Sequence, residues 1–237
     1  MTRRLTRALR RLRRDERGFT LVELLVATAV GVGVLLTAGT LATAFMHAQL
    51  RISDRTEEVA RGRTAMEQLV QQLRSQVCLG PGYPAITYGD DNEVTFYADL
   101  ANTTFVPQQR DLTFANGAIV ERDYTGTATG GQPPFSFAGT PSRTRTILNR
   151  IQLQTSGGVA VPFFRYYEFD ANSPIRPDRL LSTPLNANDA QRVVQMTISF
   201  QALASRGGSS NTAEPYTATV YVRTADPTDP DHSPLCI

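Results

Sequence analysis

Four placements of reactive side chains stand out in the sequence. Glu23 is a carboxylate five residues into the apolar run that follows Arg17 and Gly18, in RDERGFTLVELLVATAV. Glu168 and Asp170, in YYEFD, have the composition of a paired-carboxylate acid–base site. Asp226, Asp229, Asp231 and His232 crowd oxygen and nitrogen groups of the kind that hold Ca²⁺ into the tail DPTDPDHSP. Cys78 and Cys236 are the two thiols, far apart, with neither CxxC spacing nor clustered His to make a metal-thiolate site.

Two of these placements have ordinary explanations. Glu168 and Asp170 read as the solvent-facing member and the end of a strand. The tail lacks EF-hand spacing and reads as a Pro-broken run of solvated charges, so no metal is expected. His47 lies just past the apolar run, where an interface residue belongs. Arg143 and Arg145 are too few for a nucleic-acid groove and have no aromatic ladder beside them. The sequence contains no P-loop, nucleophile elbow or zinc signature. The expectation is a non-enzymatic chain without cofactor or direct nucleic-acid binding.

Glu23 is harder to dismiss, because a carboxylate in hydrocarbon costs about 2–4 kcal/mol unless it lies near the interface or is paired. A cut between Gly18 and Phe19 would supply a partner. The new amino terminus at Phe19 would be a cation one helical turn from Glu23, able to pair with the Glu23 carboxylate of a neighbouring copy.

The segment that must position Glu23 runs from Phe19 to about Met46, long and apolar enough to span a bilayer. The formal net charge of +2 hides an asymmetry: Met1 to Gly18 holds eight Arg against Asp15 and Glu16, so the rest is acidic by about four charges. That arrangement places the N-terminus in the cytoplasm and the body across the membrane. A cleavable secretory signal would have a shorter apolar region, and a plain anchor would leave Glu23 unexplained.

Arg17 to Ala27, RGFTLVELLVA, closely resembles the class III signal of type IV pilins and type II secretion pseudopilins. The resemblance implies cleavage after Gly18 by a membrane prepilin peptidase, N-methylation of Phe19, and use of Glu23 in docking subunits into a filament. Many major pilins of that family carry a Pro in mid-anchor, whereas this chain has Gly31, Gly33 and Gly39. Small residues Ala27, Gly31, Gly33 and Ala38 would let neighbouring helices approach closely.

Beyond Met46 the chain turns polar without a helix breaker until GPG, Gly80 to Gly82. Ile52, Val59, Met66 and Leu73 recur every seven residues, with Leu69 and Val70 beside them. One helix from Phe19 to about Leu79 would reach roughly 90 Å at 1.5 Å per residue. After Gly82 the patterns shorten to strands. NEVTFYADL alternates Val94, Phe96, Ala98 and Leu100, and Asn116-Gly117 marks a hairpin. TGTATGGQPPFSFAGTPSRT reads as a surface loop, TILNRIQLQTS and VAVPFFRYYEF as a strand pair around Gly157-Gly158, and PDRLLSTPLNANDA as irregular. RVVQMTISFQAL and YTATVYVRT close the body as two longer strands.

Strands after one long helix predict an α+β fold, with an antiparallel sheet packed on the helix's apolar stripe. The expected parts are a leader over 1–18, a membrane and filament-core helix over 19–46, an amphipathic continuation over 47–79, and a β-rich periplasmic or extracellular head over 80–237. The head, through VPFFRYYEFDANS and the strand ending in VYVRT, is similar to J-type minor pseudopilins and related minor pilins.

This resemblance implies a tip or initiation subunit of a type IV pilus or type II secretion pseudopilus in the inner membrane. Its partners would be other pilins or pseudopilins, the prepilin peptidase, the assembly platform and the bilayer. A competence pilus for DNA uptake and a membrane-anchored binding module that never polymerises are the alternatives. Cys78 at the helix end and Cys236 near the C-terminus form a disulfide if the body lies outside the cytoplasm; intermolecular pairing and free thiols remain the other arrangements.

Overall fold

The structure is a computed structural model that describes residues 20–80, 83–99, 107–129, 132–170, 176–203 and 213–222. It divides into two compact units, residues 1–52 and 53–237. Helix α1, Leu21–Arg74, runs through both.

In the second unit two antiparallel sheets share one core with the C-terminal part of α1. The first sheet contains β1 (Ile86–Gly89), β2 (Glu93–Ala98), β3 (Gln108–Ala115), β4 (Ala118–Thr129) and β5 (Gln132–Phe137) in that order, with β6 (Arg143–Asn149) also paired to β4. The short strands β7 (Ile151–Gln152), β8 (Thr155–Ser156) and β9 (Val159–Ala160) follow. The second sheet is ordered β11 (Arg179–Leu180), β10 (Phe164–Glu168), β12 (Gln195–Ala202), β13 (Glu214–Tyr221), with β7 on β12. The fold is α+β, as the sequence predicts.

The hairpin at Asn116-Gly117 forms with Ala115 opposite Ala118. Both turn residues have positive φ, 50° and 71°, the conformation that a tight two-residue turn demands and that Asn and Gly tolerate. The final strands β12 and β13 pair over their full lengths, from Gln195 opposite Tyr221 to Ala202 opposite Glu214.

Helix α1 stops at Arg74 rather than near Leu79. The chain instead turns to the sheet: Gln76 bridges to Ala98, and the Val77 N–H donates to the Tyr97 carbonyl at 3.0 Å. The buried face of α1 also differs from the expected stripe. Glu58, Gly62, Ala65, Met66, Leu69, Gln72 and Leu73 are buried, whereas Ile52 and Val59 are exposed. Apolar periodicity cannot reveal this face, because Glu58, Gly62 and Gln72 are selected for particular partners.

The expected loop TGTATGGQPPFSFAGTPSRT is largely strand, covering the end of β4, all of β5 and the start of β6. Among the described residues β5 pairs with β4 alone, an edge position of the kind that tolerates Pro. Phe135 anchors the segment in a small second core with Leu79 and Tyr97, and Phe137 stacks on Tyr97 at 5.1 Å between ring centroids. The strand pair expected around Gly157-Gly158 shrinks to the two-residue strands β8 and β9, while β6 pairs with β4 and β10 with β12. The stretch expected to be irregular contains a short helix, α2 (Ala187–Arg192), whose N-cap Asn186 side chain accepts from the Asp189 N–H at 2.9 Å.

Candidate assembly segment

The first described residue of the N-terminal unit, Thr20, caps α1. Its hydroxyl accepts from the Glu23 N–H at 3.3 Å, and its carbonyl accepts from the Leu24 N–H at 3.1 Å. Thr20 and Glu23 therefore have the Thr-x-x-Glu spacing of a capping box, with Glu23 in the first turn where a negative charge meets the positive end of the helix dipole. The sequence carried this signal in FTLVE. It gives Glu23 a local role besides any docking role.

Beyond the cap, nothing among the described residues of this unit covers the side chains. Leu21, Leu35, Leu41 and Phe45 are each at least 65% exposed. Ala27 and Ala38 are exposed as well, and a Cβ added at Gly31, Gly33 or Gly39 would meet nothing within 4 Å. No contact within the described chain requires these small residues. The hydroxyls of Thr28, Thr37, Thr40 and Thr43 each donate to the carbonyl three residues earlier, at 2.9 to 3.0 Å. Every polar group of this kind is thereby satisfied inside the helix, as hydrocarbon surroundings require. The segment is long and apolar enough to cross a membrane once. Gly18 and Phe19 lie outside the described residues.

Residues 13–38 match the prokaryotic N-terminal methylation motif. No curated protein matches the chain. Motif and fold together point to the pilin and pseudopilin superfamily.

The head contains charges of a different kind. The shared face of β3 and β4 runs from Phe114 opposite Ile119 to Leu112 opposite Glu121 and Arg110 opposite Asp123, passing from apolar to charged. Glu121 is 1% exposed; it accepts from Arg110 Nη1 at 2.9 Å, from Gln72 Nε2 of α1 at 3.0 Å, and from Arg145 of β6. Arg110 Nε lies 3.5 Å from Asp123. Burial pushes the Asp123 carboxyl above the usual range; Arg110 opposes that and Glu121 adds to it. Arg145 is thus a structural partner of Glu121, a role that its position among Gly and Thr did not reveal.

Glu168 is not solvent-facing: it is buried, with Arg179 Nε at 3.0 Å and Arg192 Nη1 at 3.0 Å. One carboxylate so holds both β11 and α2 to β10. Among the described residues no group of three or more His, Cys, Asp and Glu side chains could hold a metal. Asp226, Asp229, Asp231, His232 and Cys236 lie outside the described residues. Cys78 is half-buried against the main core, just past the end of α1.

Glu58 of α1 is 1% exposed and accepts from the Glu214 N–H at 3.3 Å, at the start of β13. One turn later Gly62 lies beneath the Tyr216 ring: a Cβ there would sit 2.5 Å from two ring carbons. The Tyr216 hydroxyl donates to the Val59 carbonyl at 3.1 Å. Gly62 is therefore a close-approach glycine. The Tyr216 ring continues a stack through Phe200 and Phe163 to Phe114, with neighbouring centroids 5.3 to 5.9 Å apart.

Proposed function

We propose that this protein is a minor pilin or pseudopilin, a structural subunit cut after Gly18 and assembled into a pilus or pseudopilus tip through the apolar part of α1. The observation that carries this reading is the contrast between exposed Leu, Val and Phe side chains along that part and the Glu23 carboxylate, which has no cationic partner among the described residues. A processed Phe19 ammonium on an adjacent subunit supplies the cation. Ala27, Gly31, Gly33 and Ala38 allow the helices to approach, exchanging lipid contacts for packing. The arginine-rich leader keeps the N-terminus in the cytoplasm, and the head lies outside the inner membrane. Other pilins or pseudopilins, the prepilin peptidase and the assembly platform are the partners this requires, and a J-type place in the initiation complex is the finer assignment.

Mass spectrometry of the mature N-terminus tests the processing step. Loss of residues 1–18 and a methylated Phe19, seen only in cells with a prepilin peptidase, are expected; a retained leader ends the proposal. Glu23→Gln is expected to insert into the membrane normally yet to be lost from sheared filaments or from crosslinked subunit ladders. Normal incorporation would refute the pairing of Glu23 with the Phe19 ammonium of a neighbouring subunit. We also propose that Cys78 pairs with Cys236, tying the C-terminus to the end of α1. Non-reducing peptide mapping should recover the two peptides linked, and separate peptides would refute the pairing.

A further inference from the structure

The cleft beside the β8–β9 hairpin takes no part in assembly as proposed above. It encloses about 630 Å³, a volume typical of small-ligand sites. Val159 and Leu180 stand at its sides, 71% and 57% exposed. Arg165 lines it from β10, between the fully buried Phe164 and Tyr166, so its side chain leaves the opposite face of the strand.

Arg165 differs from the arginines of the charged networks. Arg110, Arg122, Arg145, Arg179 and Arg192 each have a carboxylate within 4.0 Å. Arg165 has none among the described residues; its Nε–H, like those of Arg110 and Arg192, is enclosed without an acceptor. Asp91 lines the same cleft and accepts from the Thr183 hydroxyl, without pairing with Arg165. The cleft therefore holds one fixed cation and one fixed anion that do not neutralise each other, between apolar walls.

We propose that this cleft binds a small organic monocarboxylate that has an apolar body and carries a hydrogen-bond donor. The Arg165 fork takes the carboxylate, for which its paired N–H groups are matched. Asp91 faces the donor and disfavours dianions. Val159 and Leu180 cover the apolar body.

Saturation-transfer NMR on the full chain in lipid nanodiscs tests this with L-leucine, N-acetyl-L-leucine and L-leucinamide. Saturable signals are expected from the two carboxylates and not from leucinamide. Arg165→Gln should weaken both by about tenfold or more, the scale of one charge-assisted contact. Leu180→Asp, at an exposed site that leaves folding intact, should weaken them by placing a second carboxylate at the rim. Absence of saturation by either carboxylate overturns the proposal. So does equal binding of leucinamide, or undiminished binding in Arg165→Gln. If Arg165→Gln fails to fold, unchanged affinity in Leu180→Asp overturns it alone.

Discussion

Helix α1 carries two carboxylates that differ in what the described chain offers them. Glu58, in the head, is buried and hydrogen-bonded to the backbone of Glu214. Glu23, in the apolar part, has its own N–H capped by Thr20 but no cation among the described residues. The glycines divide in the same way. Gly62 is required by a ring in its own chain, whereas Gly31 and Gly33 face open space. A single helix thus has two parts, one whose special residues are explained by contacts within the chain and one for which we propose partners in another molecule.

The sharpest way to break that contrast is to remove a charge from each part. Glu121→Ala leaves Arg110 buried without its closest counter-charge and strips acceptors from Gln72 and Arg145. A loss of about 3–5 kcal/mol is expected, read from urea unfolding of the full chain in detergent micelles by circular dichroism. Glu23→Gln in the same assay should leave head unfolding unchanged. A comparable loss from Glu23→Gln would mean that the head depends on a charge we assign to neighbouring subunits.

Gly62→Ala forces a methyl group against the Tyr216 ring and should destabilise the head by about 1–3 kcal/mol despite its better helix propensity. Gly33→Ala meets no atom in the chain, so its effect is expected in filament assembly and not in thermal melting of the head. Tyr216→Phe keeps the stack and loses one hydrogen bond to Val59, for about 0.5–1.5 kcal/mol in the urea assay.

The smallest effect concerns Glu93, whose carboxyl is raised by burial first and then by the Asp111 carboxylate. An acid whose folded pKa lies above its unfolded value binds protons more readily when folded. Its contribution to stability is therefore fullest below the ordinary carboxylate pKa and is lost as pH rises through the raised folded value. Glu93→Gln should stabilise the head at neutral pH by less than about 1 kcal/mol, given its solvent screening, and the gain should vanish near pH 4. A gain that persists in acid would refute the assignment.

The parts of this molecule that were legible in the sequence are those whose physics is local. The apolar run, the Asn116-Gly117 turn and the long strands β12 and β13 are all set by periodicity and turn chemistry over a few residues. The motif around Glu23 was equally plain, because its residues act through spacing along one helix. The buried roles of Glu58, Gln72, Glu121, Arg145 and Glu168 were not legible, since each depends on a partner contributed by a distant strand. Polar residues in such networks look like surface residues until the fold brings the partner in. The strand character of β5 was hidden for a related reason: its Gly- and Pro-rich surroundings signal a loop, and only the pairing with β4 and the Phe135 anchor overrule them.

The close approach of Tyr216 to Gly62 gives the unlabelled protein its own optical reporter. The chain has no Trp and eight Tyr, so its intrinsic emission comes from phenol rings alone. One of those rings is clamped between an aromatic neighbour and the helix backbone, with its hydroxyl tethered to a main-chain oxygen. Any event that lifts the helix off the edge strand releases that fluorophore into water, and the change in its quenching would register the separation without a dye.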